Sequence, residues 1–336
     1  MSKKIIRYIG IYSCLILGMW SSLLSGTEPI DVVYTWVDGS DPRWQASFAE
    51  YSQKERGASD ALSKRRFKDH EELRYSLRSI YRFAPWVNHI YIVTCGQKPQ
   101  WLAPHPKITV VDHKKIFPNP KHLPTFNSMA IECNLHHIPD LSEHYLYFND
   151  DVFLGKRSSP DNFFTKDDKM RIFLSETKMP TGTPIPGDEG FYAASKNTSS
   201  LLNEHYGFDH HFCHAHTPYP SLKSFVESTE NRFPVIFTTV SSHRFRSLDD
   251  YTITNGLVPY AALYTHQGEK SIETRKTVSF GKSPVQDQTA LNELFFIRPR
   301  FFCIQDSTND DQTDSAAILH EFFEAYFPEK APWEKD

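Results

Sequence analysis

Asp31–Val37 (DVVYTWV) is a run of β-branched and aromatic residues that stops at Asp38 and Gly39. Such a run favours a strand, and glycine ends it. Ile90–Thr94, Ile108–Val111 and Tyr145–Phe148 repeat the pattern, each short, apolar and closed by polar or glycine residues. Helix-period segments lie between them. In His70–Ala84, Leu73, Leu77 and Ile80 share one face and Arg74, Arg78 and Arg82 another; Asp69 is placed to cap the start and Pro85 to limit the end. Ser128–Ile138 reads as a further helix. This alternation predicts an α/β fold with a mostly parallel sheet and helices on both faces. Ligands of such sheets bind beyond the carboxyl ends of the strands, which singles out Asp38, Thr94, Asp112 and Asn149 to Asp151.

The remainder is less regular. Glu50–Lys68 reads as a helix or an exposed connection, and a loop runs through Pro118, Pro120 and Pro124. Thr181–Asp188 (TGTPIPGD) is turn-rich, His205–His216 is crowded with histidine, and Thr238–Tyr251 mixes a short β-prone stretch with charged residues. Ala316–Phe327 is apolar at helical spacing and stops at Pro328. No repeat or linker divides the chain, so residues 28–336 are expected to form one domain with irregular insertions.

Lys3, Lys4 and Arg7 precede an apolar run from Tyr8 to Leu24. That order reads as a signal peptide or an N-terminal membrane anchor over residues 1–27, just short of the roughly 20 residues of a full span. It predicts membrane association or export. Among 336 residues, 39% are hydrophobic and 23% charged, which fits a folded globular chain. The net charge of −4 leaves no basic footprint for nucleic acid. Beyond Cys14 in the leader, Cys95, Cys133, Cys213 and Cys303 form no C-x-x-C pair; two disulfides or four thiols both fit. Asn197-Thr198-Ser199 is a glycosylation sequon.

Of the acidic doublets, which include Asp167-Asp168, Asp249-Asp250 and Asp310-Asp311, only Asp150-Asp151 directly follows an apolar strand. Adjacent carboxylates there can hold Mg²⁺ or Mn²⁺ against a diphosphate, or can simply make the turn that ends the strand. His214 and His216 lie on one face of an extended segment. His216 can serve as a base for an attacking hydroxyl; a zinc site using His210, Cys213, His214 and His216, or a plain surface loop, are its rivals. Arg246 can fork onto phosphate or pair with Asp249 or Asp250. The ladder from Arg74 to Arg82 is a solvated or salt-bridged face, with a phosphate contact open to it. Trp36, Trp44, Trp86 and Trp101 can stack on sugars or pack in a core.

Four blocks together resemble the Stealth family, which includes bacterial capsule-polysaccharide phosphotransferases and the catalytic precursor of the GlcNAc-1-phosphotransferase that tags lysosomal enzymes. They are Asp31–Asp38, Lys68–Leu102, His122–Gly155, and a more divergent stretch from Ala215-His216-Thr217-Pro218 to Arg246–Asp250; the tail Phe327–Lys335 (FPEKAPWEK) is also similar. The resemblance implies a Rossmann-like sheet of the nucleotide-sugar transferase type. It implies a UDP-sugar donor and a glycan hydroxyl as acceptor, with UMP released. Carried over residue by residue, it implies catalytic roles for His216, Arg246 and Asp151, substrate contacts from Asp31, Asp38, Arg74 and Glu132, and Mg²⁺ or Mn²⁺ on Asp150 and Asp151; Asn149, at the strand end, is expected to contact substrate by its position. Lys68 stands where the family has an arginine. A metal-dependent glycosyltransferase releasing UDP and a non-catalytic glycan-binding protein are the alternatives.

The donor implied by that resemblance is UDP-N-acetylhexosamine or a related UDP-sugar, and the product is a sugar-1-phosphate in phosphodiester linkage to the acceptor.

Overall fold

The computed structural model describes residues 28–55, 57–207, 211–307 and 313–335. The leader, His210 and the Asp310-Asp311 doublet lie outside the described residues. In chain order the strands are β1 (Ile30–Thr35), β2 (Ile90–Thr94), β3 (Ile108–Asp112), β4 (His144–Asn149), β5 (Val152–Leu154), β6 (Met170–Ile172), β7 (Leu174–Lys178), β8 (Phe212–His214), β9 (Tyr219–Leu222), β10 (Gly268–Lys270), β11 (Arg275–Phe280) and β12 (Phe301–Asp306). The α-helices are α1 (Pro42–Ser52), α2 (Glu72–Phe83), α3 (Ser128–Glu132), α4 (Gly190–Tyr206), α5 (Lys223–Arg232), α6 (Pro234–Ser242), α7 (Val258–Tyr264), α8 (Pro284–Ile297) and α9 (Thr313–Tyr326).

The central sheet has the order β3-β2-β1-β4-β9; its first four strands are parallel and β9 is antiparallel. Alternate side chains of these strands enter two cores, as a two-residue period requires. Val32, Tyr34, Ile92, Leu146 and Phe148 meet Leu73, Leu77 and Ile80 of α2 on one face. Val33, Val93, Tyr145 and Tyr147 meet Met129 of α3, Leu202 of α4 and Phe237 of α6 on the other. Among the described residues there are three smaller sheets. β11 is parallel to β12, which is antiparallel to β5; β6 and β10 are parallel, and β7 and β8 antiparallel. The fold is therefore mixed α/β, with the expected parallel order confined to the heart of the sheet.

Register makes the carboxyl ends of the central strands flush. Thr35 lies beside Val93 and Asn149, and Thr94 beside Asp112. The polar residues that follow these strands therefore open on one side of the sheet.

Several local expectations change. Asp69 does not cap α2: Glu71, at a left-handed φ of 64°, occupies that position, while Asp69 accepts from the Glu71 amide (2.9 Å) and Trp36 Nε1 (3.0 Å). A helix begins at Pro42, ahead of Glu50, and ends at Ser52; Asp41 caps it by accepting from the Arg43 amide (2.8 Å) and Pro42 supplies a preset φ. Ser128–Ile138 breaks after Glu132, and a 3₁₀ turn follows at Leu135–His137. The β-prone stretch after Thr238 is helical, since burial of Phe237 and Val240 overrides a weak propensity. Cys95, Cys133, Cys213 and Cys303 are free thiols. Asn197 of the sequon lies in α4 and donates to the carbonyls of Leu248 (2.8 Å) and Asp250 (2.9 Å). Among the described residues, no helix is long and apolar enough to cross a membrane.

Candidate active site

A cavity of about 610 Å³ lies at the carboxyl ends of the central strands. Thr35 and Trp36 reach it from β1, Cys95 from β2, His113 from β3 and Asn149, Asp150 and Asp151 from β4. Ile304, Gln305 and Asp306 enter from β12, and His216 from the segment before β9. Long-range packing thus joins the two ends of the chain around one site.

One wall is acidic. Asp150, Asp151, Glu72 and Asp306 line it. Burial raises the Asp150 carboxyl well above the usual range, and the charges of Asp151 and Asp69 add to this. Glu72 is raised by burial and by Asp69 and Asp150. Asp151 is also raised by burial, against the opposing pull of His216 and the Cys303 thiol. Cys303 Sγ lies 3.3 Å from Asp151 Oδ2, whereas Asp151 Oδ1 is buried without a hydrogen-bond partner. A buried carboxylate oxygen without a partner carries a desolvation cost that a cation removes. Its oxygen chemistry fits a hard divalent ion, and two carboxylates suffice when substrate phosphates and water complete the shell.

The other wall is basic. Arg65, Arg66, Lys68 and Arg246 line it. Burial brings Arg66 down to about 9, and the charge of Arg246 contributes. Arg246 is lowered by burial despite Asp60 and Glu132. Its contacts are long, 3.5 Å to Asp60 and 3.3 Å to Ser128 Oγ, and its Nε has no partner. Two desolvated guanidinium groups side by side call for an anion. Gly190, at the start of α4, makes room for Arg246, because a Cβ there would lie 2.6 Å from the Arg246 Cβ.

His216 has Gln305 Nε2 at 3.2 Å from its Nε2. Glu132 lies behind the basic wall; burial pushes it up to about 7, against Arg246 and the Tyr147 hydroxyl at 3.3 Å. Asp38 lines an adjoining cavity of about 820 Å³, which shares Trp36, Trp44, Phe67 and Lys68 with the first. Trp101 lines that second cavity, while Trp86 donates to the Ser158 carbonyl (2.7 Å) away from both.

Two expected site residues lie elsewhere. Asp31 sits at the opposite end of β1, buried, accepting from Asn88 Nδ2 and the Ser142 amide at 2.8 Å each. Arg74 is outside both linings and donates to Glu334 at 2.7 Å. Arg65, Arg66, Glu72, Gln305 and Asp306 reach the site without a sequence signal of their own. Among the described residues of the rival zinc set no metal group assembles: His214 is buried, with the Phe173 amide and the Ala215 carbonyl as its partners. Among the described residues, one group of three metal-type side chains converges, His136, His137 and Glu230, away from this cavity.

Four family models match this chain: Stealth protein conserved region 1 at residues 28–56, region 2 at 66–172, region 3 at 215–262 and region 4 at 295–336. The chain belongs to the Stealth family. Region 1 carries β1, region 2 carries α2 through β6 including Asp150 and Asp151, region 3 carries His216 and Arg246, and region 4 carries β12. The Stealth regions thus supply the acidic wall and, apart from Arg65, the basic wall of the cavity. Exopolysaccharide phosphotransferase SCO6023 of Streptomyces coelicolor is 40% identical over 91% of this chain and 52% of its own length. SCO2594 of the same organism is 40% identical over 92% of this chain and 52% of its own. Exopolysaccharide phosphotransferase CpsY of Mycobacterium leprae is 38% identical over 92% of this chain and 57% of its own. The chain therefore spans about half the length of these relatives.

Proposed function

We propose that this chain transfers a sugar-1-phosphate, an N-acetylhexosamine-1-phosphate by the family resemblance, from a UDP-sugar to a hydroxyl of an acceptor glycan, releasing UMP. The supporting observation is the pairing of a partnerless buried carboxylate oxygen on Asp151 with the desolvated Arg66–Arg246 pair across one cavity. A metal–diphosphate complex has both charges and satisfies both walls. Mg²⁺ or Mn²⁺ held by Asp150 and Asp151 would neutralise the diphosphate and ease departure of UMP.

Arg246 and Arg66 hold the non-bridging oxygens as charge redistributes in the transition state. His216 takes the proton of the attacking acceptor hydroxyl while Gln305 holds its ring. Glu132 positions Arg246 from behind, and Asn149 and Asp38 bound the donor's path. The attack falls on the phosphorus next to the sugar, so that phosphate travels with the sugar. The leader from Lys3 to Leu24 supports membrane association of the whole protein.

The test follows that phosphorus. The purified protein is incubated with a UDP-sugar labelled in the phosphate adjoining the sugar, a divalent ion and a glycan acceptor. Label in the glycan and UMP in solution are expected. Label retained in UDP would place the attack on the anomeric carbon and overturn the proposal.

A further inference from the structure

The 3₁₀ turn Leu135–His137 follows α3 and packs on α5. His136 Nε2 lies 2.6 Å and His137 Nε2 3.2 Å from the same atom, Oε2 of Glu230. The two rings are 4.0 Å apart, and the three ligand atoms lie within 4.8 Å of one another. His137 Nδ1 is 3.1 Å from the Ile116 carbonyl. A carbonyl can only accept, so Nδ1 carries a proton there. In the neutral ring, Nε2 then presents a lone pair to a carboxylate oxygen that also only accepts. Two lone pairs at this distance require a positive charge between them, a proton or a metal ion.

We propose that His136, His137 and Glu230 bind a zinc ion, separate from the proposed catalytic metal. Two imidazoles and one carboxylate, with water in the fourth place, are a zinc donor set and a poor one for Mg²⁺. The Ile116 carbonyl fixes the His137 tautomer as an outer partner of a metal ligand does. The side chains of His137 and Glu230 are 27% and 30% exposed, which leaves the ion a path in. Zinc here ties the turn after α3 to α5. Ser128 and Ile131 of α3 line the active-site cavity, so the tie braces one of its walls.

The test uses the full chain carrying Asp150→Asn and Asp151→Asn, which removes the other metal site, and Zn²⁺ alone as probe. After chelation and dialysis, calorimetry should show one equivalent of zinc that excess Mg²⁺ does not displace. Co²⁺ in its place should give the visible absorption of a tetrahedral site. His137→Ala and Glu230→Gln should each weaken zinc binding at least ~10-fold. Glu230→Gln keeps the shape of the side chain and serves if His137→Ala does not fold. No bound equivalent, or zinc affinity unchanged in the folded variants, overturns the proposal.

Discussion

Replacing Glu334 with leucine removes the acceptor around which Arg78 is arranged. Arg78 donates from Nε to Glu334 Oε1 (2.8 Å) and from Nη2 to Oε2 (2.9 Å), a bidentate fork. The two side chains are 1% and 0% exposed. Arg74 Nε (2.7 Å) and the Ala331 amide (2.9 Å) also donate to the Glu334 carboxylate. The variant leaves a buried guanidinium with the Phe327 carbonyl (2.8 Å) and Glu324 (3.1 Å) as remaining partners. Breaking a buried pair on one side costs about 3–5 kcal/mol. At roughly 2 °C per kcal/mol for a chain of this size, the melting midpoint should fall by about 6–10 °C. The double variant Arg78→Met/Glu334→Leu should lose less than Glu334→Leu alone, because it removes the stranded charge. Urea unfolding followed by circular dichroism measures both. A Glu334→Leu protein within about 1 kcal/mol of the parent would refute the reasoning. The pair also has a pH signature. Burial raises the Glu334 carboxyl, but Arg78, the Ala331 amide and Arg74 outweigh it and hold it below the usual range. Its stabilisation is therefore present above the unfolded carboxyl value and is lost as pH falls through the lower folded one.

His216→Gln should lose about 10²–10⁴ in turnover while donor affinity, read by calorimetry, stays near the parent's; unchanged turnover would remove His216 from the chemistry. Asp151→Asn should weaken donor binding only when a divalent ion is present, and equal affinity with and without the ion in the parent would remove the metal role. Gly190→Ala forces a Cβ to within 2.6 Å of the Arg246 side chain and should cost about 1–3 kcal/mol of stability together with donor affinity; parent-like values for both would show that α4 can shift freely. Burial lowers the His243 imidazole, but the Asp250 hydrogen bond and charge outweigh it and raise it overall. Its contribution is full below the unfolded histidine value and fades as pH rises through the folded one. His243→Gln should flatten that slope in pH-dependent unfolding, and an unaltered slope would count against the His243–Asp250 link.

The local code was legible where chemistry and period lie in consecutive residues. DVVYTWV marks β1, and Leu73, Leu77 and Ile80 mark the buried face of α2. A single strand running into Asn149-Asp150-Asp151 located the acidic wall, because strand ends in a parallel sheet share one side. Residue chemistry marked His216 and Arg246 as candidates and motif resemblance favoured them; both line the cavity. The resemblance also brought in Asp31 and Arg74, whose side chains hold the fold together at other places.

Tertiary structure alone decided the rest. Arg78 is read from sequence as one rung of a solvated or salt-bridged ladder; it is salt-bridged, but buried, and its partner is Glu334, a residue 256 positions away. Asp306 and Gln305 face Asp151 only because β12 pairs antiparallel with β5, just after the acidic doublet. Arg66 gains its role from the nearness of Arg246, on a loop far along the chain. Sequence determined the four parallel strands β1 to β4 and which strand end carries paired carboxylates, since propensity and periodicity act between neighbours. Which distant cations and acids face that end, and which instead lock the fold, depended on packing, because burial and Coulomb interactions act through space and not along the chain.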